Sequence, residues 1–173
     1  DEHTHGHHHT HHEHDHSHHH HHEDDHGDHG HTHTHDRNLV AIEKIINESE
    51  LDGKVKELSK AIFQEVAKAE AKIHGKPIDE VHFHEVGAVD SIVDIVGAAI
   101  CLNELEVDKI VSSPLHVGTG FVECQHGVIP IPAPATLEIL RDSKVPFYSK
   151  GIDKELVTPT GAAIVAAFAS EYG

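Results

Sequence analysis

The run Val81-His82-Phe83-His84-Glu85-Val86-Gly87-Ala88-Val89-Asp90-Ser91-Ile92-Val93-Asp94 joins two kinds of secondary structure. Val81 to Glu85 reads as a short strand or extended segment, and a helix follows from about Val89 to Leu105. In an extended segment His82 and His84 project to one face, which makes a chelating pair. Asp90 and Asp94 are four apart on the helix and share a face there. Asp90 falls in the first turn, where the helix dipole favours a carboxylate. Two imidazoles, Glu85 and two carboxylates can form an N/O metal site, with Glu85 alternatively free to act as a general base. The plainer reading is a polar strand surface whose aspartates cap or ion-pair.

Outward from this run, helices and short strands alternate. Asn38 to Asn47 reads as a helix with Leu39, Ile42, Ile45 and Ile46 on one stripe. Asp52 is a cap for a longer helix whose apolar positions run from Val55 through Ile62, Phe63 and Val66 to Ile73, ended by Gly75 and Pro77. His74 suits that helix's C-terminus. Lys109 to Val117, Phe121 to Cys124, Val128 to Ile131 and Val145 to Tyr148 read as extended, and Pro134 starts a helix to Leu140. Pro159 to Tyr172 reads as a closing helix capped by Thr158. The expected fold is α/β, with mixed α+β as the other option: one domain of alternating helices and short strands over residues 37–173.

The preceding 36 residues are of another kind. Nineteen of the first 35 are histidine, and the rest of the tail is Asp, Glu, Thr, Ser and Gly. Without apolar groups it cannot offset the entropy of ordering, so a disordered tail is expected. Overlapping ligand sets such as His18 to His22 suit capture and hand-over of Ni, Zn or Cu rather than one fixed geometry. The tail is too long and too mixed for a purification tag. Binding there should weaken below about pH 6 as the imidazoles protonate.

All 13 basic residues lie in the body, against 21 of the 30 acidic ones. The resulting charge is about −9 in the tail and −8 in the body, which excludes the basic footprint of a nucleic-acid binder and favours metal cations. No apolar run reaches transmembrane length and no secretory signal is present, so neither a membrane nor export is expected. Cys101 and Cys124 lack a CxxC partner and read as reduced, mostly buried thiols of a cytoplasmic protein. The chain starts at Asp1 and stops at Gly173 directly after an apolar helix, as a fragment of a longer protein would.

Two further clusters hold candidate residues. In Ser112 to Gly120, Gly118 and Gly120 allow a close backbone approach of the kind a phosphate uses, although a hairpin turn explains them as well. His116 there, and His126 further on, could complete a metal shell. In Thr158-Pro159-Thr160-Gly161, hydroxyls and a glycine at a helix start make an anion site or an ordinary cap.

The run from His82 to Asp94 resembles the signature of the LarC-type nickel insertion proteins. The runs His126-Gly127-Val128-Ile129-Pro130-Ile131-Pro132-Ala133-Pro134-Ala135-Thr136 and Leu156-Val157-Thr158-Pro159-Thr160-Gly161-Ala162-Ala163 resemble the same family, in the same order. The resemblance covers Leu51 to Gly173, and a histidine-rich insertion ahead of the signature is also familiar in that family. It implies insertion of nickel into pyridinium-3,5-bisthiocarboxylic acid mononucleotide, a small-molecule nucleotide substrate, by a nickel chelatase of the lyase class. The product is the nickel-pincer nucleotide of lactate racemase-type enzymes. It further implies CTP with Mn2+ or Mg2+, bound by a C-terminal domain beyond Gly173, and that this fragment alone is inactive. Forming a nickel–carbon bond requires loss of a ring proton, so Glu85, or a neutral His82 or His84, is a candidate base, with His84 and Glu85 the catalytic pair. Asp90 and Asp94 would hold the metal or orient the histidines. Against this stands a nickel or zinc storage protein or metallochaperone, with the tail as reservoir, and a metal-responsive interaction domain without chemistry. A homo-oligomer is left open.

Overall fold

Residues 37–83, 88–124 and 127–173 are described by a computed structural model. The histidine tail, with its expected disorder and metal capture, lies outside the described residues, as do His84, Glu85 and His126. Asn38 closes the two-residue strand β1 (Arg37–Asn38) and caps α1 (Leu39–Glu48), its side chain accepting from the Ala41 amide at 2.9 Å. Leu39, Ile42 and Ile46 are buried, whereas Ile45, expected on the same stripe, stays 46% exposed.

Asp52 caps α2 (Gly53–His74) by accepting from the Lys54 amide at 2.8 Å. Gly75 ends the helix in the left-handed region, φ 62°, which a side chain resists. At that end His74 stands 3.3 Å from Glu70. Val55, Ile62, Phe63, Val66 and Ala69 make the buried stripe of α2, and α1, α3, α4 and α5 all pack against this helix. Here α3 is Val89–Glu104, α4 is Pro134–Asp142 and α5 is Pro159–Phe168.

The strands pair two by two rather than forming one layer among the described residues. β2 (His82–Phe83) runs antiparallel to β1, with Asn38 opposite His82. Phe83 is fully buried, its ring centroid 6.2 Å from that of Phe63, and this contact fastens β2 to α2. β3 (Ile110–Ser112) and β4 (Leu115–His116) replace the single strand expected over Lys109 to Val117. The break falls at Ser113-Pro114, where proline offers no amide to a ladder. β5 (Phe121–Cys124) and β6 (Gly127–Pro130) form a hairpin, and β4 lies parallel to β7 (Phe147–Tyr148).

The closing helix is shorter than expected. α5 stops at Phe168 and the chain continues as β8 (Ala169–Tyr172), parallel to β3. Ala169 turns the backbone extended at φ −71°, ψ 123°. The Ser170 hydroxyl then donates to the Ile110 carbonyl, and Glu171 pairs with Lys109. An unbroken apolar run cannot by itself distinguish helix from buried strand. Cys101 also departs from expectation: it is exposed on α3 and not buried. Alternating helices and short strands, a mixed helix–strand fold, are otherwise as expected.

Replacing Phe83 with Ala should remove the pin between β2 and α2 and cost about 3–5 kcal/mol in urea unfolding. A second expectation concerns Lys72 of α2, 2.6 Å from Glu138 and 3.1 Å from Asp142 of α4. The hydrogen bonds to Glu138 and Asp142 raise the Lys72 pKa above its ordinary 10.5, and the bond from Lys72 lowers Asp142 below its ordinary 3.8. The Asp142 contribution is thus whole above pH 3.8 and is lost as pH falls through its folded value. The Lys72 contribution is whole below pH 10.5 and is lost as pH rises through its folded value. Lys72→Met should flatten both limbs of the urea midpoint against pH, and salt should shrink the difference because the groups are exposed.

Candidate functional site

The first turns of α3 and α5 open into one cleft of about 590 Å³. α3 supplies Asp90, Ser91 and Asp94, and α5 supplies Thr158, Pro159, Thr160 and Gly161. The β5–β6 hairpin closes one side with Val122, Glu123, Cys124 and Ile129, and Glu155 comes from the segment before α5. Two clusters far apart in sequence, Asp90/Asp94 and Thr158/Thr160/Gly161, therefore share a wall.

Among the described residues, the lining includes four carboxylates, at Asp90, Asp94, Glu123 and Glu155, and no Lys, Arg or His. Two helix N-termini offset part of that negative charge. The cleft therefore favours a cation with a negatively charged or polar ligand behind it. At α5 the anion-binding capacity is limited. Pro159 has no amide hydrogen, the Gly161 amide donates to Thr158 Oγ1 at 3.2 Å, and the Ala162 amide donates to the Thr158 carbonyl. The Thr160 amide and hydroxyl are the groups left at this end for a ligand. Among the described residues no three His, Cys, Asp or Glu side chains converge closely enough to hold a metal ion.

Glu123, Cys124 and Glu155 were missed in the sequence. Glu123 and Cys124 stand beside the His126-Gly127 turn, and that adjacency was the available signal. His82 is exposed on β2 and is not among the cleft residues. By sequence, residues 84–87 lead directly into α3, and residues 125–126 follow Cys124.

His116, Gly118 and Gly120 lie apart from the cleft lining. The Gly118 amide donates to His116 Nδ1 at 3.2 Å, so the imidazole proton sits on Nε2, 3.2 Å from the Lys150 carbonyl. Tyr148 meets the ring edge-on, centroids 4.7 Å apart. Both nitrogens are engaged in the fold, and a metal would have to displace one of these bonds. Gly118 has φ 80° and bridges to Glu155, and a Cβ there would overlap the Lys154 carbonyl. A Cβ on Gly120, φ 105°, would overlap the Asp153 carboxylate. The close approach Gly118 permits is to the backbone at 152–154, and that of Gly120 is to the Asp153 side chain.

The whole chain, residues 1–173, matches the family model described as nickel insertion protein. The chain belongs to the nickel insertion protein family. It is 61% identical over 138 residues to the pyridinium-3,5-bisthiocarboxylic acid mononucleotide nickel insertion protein of Acetivibrio thermocellus, covering 80% of this chain and 34% of that protein. The proteins of the same name from Clostridium kluyveri and Desulfitobacterium hafniense are 59% and 56% identical over 136 and 137 residues, 79% of this chain and 34% of theirs in each case. The chain thus spans about a third of the length of these curated relatives. No solved structure matches it. In this family member, no helix among the described residues is long and apolar enough to cross a membrane.

Gly118→Ala should lower stability by about 1–2 kcal/mol from the left-handed backbone alone, with the Lys154 overlap adding to it, as read by thermal unfolding.

Proposed function

We propose that this chain is the nickel-handling part of an enzyme that inserts nickel into pyridinium-3,5-bisthiocarboxylic acid mononucleotide. The observation that supports it best is the acidic cleft between the starts of α3 and α5, in a chain of the nickel insertion family. Nickel is the cargo. In this reading Asp90 and Asp94, with His84 and His126 from segments adjoining the cleft in sequence, receive it, and His82 stays outside the cleft on β2. Thr160, at the end of the cleft capped by Thr158, faces the mononucleotide's phosphate, with Gly161 beside it committed to the cap. His116, Gly118 and Gly120 are left to the fold.

The chemistry balances without an oxidant. Two thiocarboxylate sulfurs replace protein and water ligands, a ring C–H bond breaks as the nickel–carbon bond forms, and the proton passes to a base. Glu85 or His84 is that base. CTP with Mn2+ or Mg2+ is assigned to the part of the protein outside this chain, and the compartment to the cytoplasm, where the free thiols of Cys101 and Cys124 persist. The activity is that of a nickel chelatase of the lyase class.

The histidine tail supports a second reading, storage or delivery of nickel or zinc without catalysis. Calorimetric nickel titration of the chain lacking residues 1–36 separates the two. A single tight site, lost in His84→Ala, is the expected result. Many nickel ions per chain, all lost with the tail, would favour storage. In the full-length protein, Glu85→Ala or His84→Ala should slow insertion by about 10²–10⁴-fold, the usual worth of a positioned base, and undiminished insertion in both would sink the assignment.

A further inference from the structure

Ten of the sixteen residues of α3 are apolar, yet only Ile95 and Ala99 are buried. A helix apolar on most sides is normally covered on most sides. At about 100° per residue, α3 divides into three faces. Ile95 and Ala99 face the core, and Asp90 and Asp94 face the cleft. Val93, Val96 and Ile100 fall on the third. This third face and α1 enclose a groove of about 330 Å³, lined by Ile45, Ile46, Leu51 and Ile92 together with those three residues. Among the described residues Ser49 is its one polar lining residue. Val93 is 62% exposed and Ile45 46%. At Gly97, also in the lining, a Cβ would meet nothing within 4 Å, so a partner backbone has room to come close.

Two occupants fit poorly. The tail has no apolar residue with which to fill an aliphatic groove. A second copy would bring together two bodies that each hold 21 acidic against 13 basic residues, with Asp90, Asp94 and Glu104 along α3 itself. The third candidate is measured by length. The match to the Acetivibrio thermocellus relative takes up 80% of this chain but 34% of that protein, so about two thirds of the relative lies outside the match. We infer that the α1–α3 groove docks an apolar segment from that remaining two thirds of the full-length protein. A segment tethered in the same polypeptide has a local concentration of roughly millimolar order, which lets a small apolar contact hold where a free partner would not. Because the cleft carboxylates stand on the adjoining face of α3, docking steadies the helix that presents them.

The test is hydrogen exchange. The 173-residue chain is compared with a full-length chimera in which it replaces the matching third of the Acetivibrio thermocellus relative. Amides of residues 92–100 and 42–46 should exchange at least 10-fold more slowly in the chimera. Val93→Asp with Ile100→Asp should return them to the rates of the short chain while leaving its circular dichroism unchanged, since both side chains are exposed. Should the chimera not fold, the unmodified relative supplies the comparison through its corresponding helices. Equal rates in the short and long proteins would overturn the inference. So would protection that grows in the short chain with its own concentration, which would give the groove to a second copy.

Discussion

The buried stripe of α2 through Ile62, Phe63 and Val66 is the constraint on which the rest of the fold depends. Four other helices are placed against it, and the strands, paired only two by two, could not hold one another in place without it. A two-stranded ribbon is marginal in water unless a helix covers one face. Phe83 extends the stripe: by meeting Phe63 it ties the strand that bears His82 to the same core, a short stretch of sequence before α3 begins at Val89. The placement of the cleft therefore follows from helix packing, since α3 and α5 both lean on α2 and their first turns meet there.

The helices were readable in the sequence because their signals are local. Asp52 and Gly75 bound α2 through a side chain and a backbone angle that each residue controls by itself, and Thr158-Pro159 does the same for the start of α5. The end of α5 was not readable, because what turns Ala169 extended is β3, some sixty residues away. The break at Pro114 was visible as a residue but not as a division, since β3 and β4 separate only when each finds its own partner in β8 and β7.

The same distinction holds for the site. Asp90 and Asp94 follow from helical spacing, and the hydroxyl-rich start of α5 from its cap. Their sharing of a cleft follows from neither, and so Glu123, Cys124 and Glu155 escaped notice. The glycines at 118 and 120 show the converse. Their spacing is that of a phosphate loop, yet what they admit is the chain's own: backbone at 152–154 for Gly118 and the Asp153 carboxylate for Gly120. His116 was a candidate ligand by type, and it took the structure to show both of its nitrogens engaged.

An acidic cleft in which no three described ligands close around an ion looks like a poor metal site, but transfer has different requirements from storage. Carboxylate oxygens are hard donors, and Ni2+ binds more strongly to nitrogen and to soft sulfur. A cleft that held nickel in a complete thiolate or imidazole cage would have to be emptied against that affinity before any substrate could take the ion. On the proposed reading, carboxylates that attract a cation by charge would leave nickel less strongly bound than two thiocarboxylate sulfurs and a ring carbon would hold it. The direction of the proposed transfer would then be set by the ligands of the substrate. In the proposed reaction the protein would supply proximity and a base for the departing ring proton, and α3 suits the first because it presents its carboxylates to the cleft while it packs against α2.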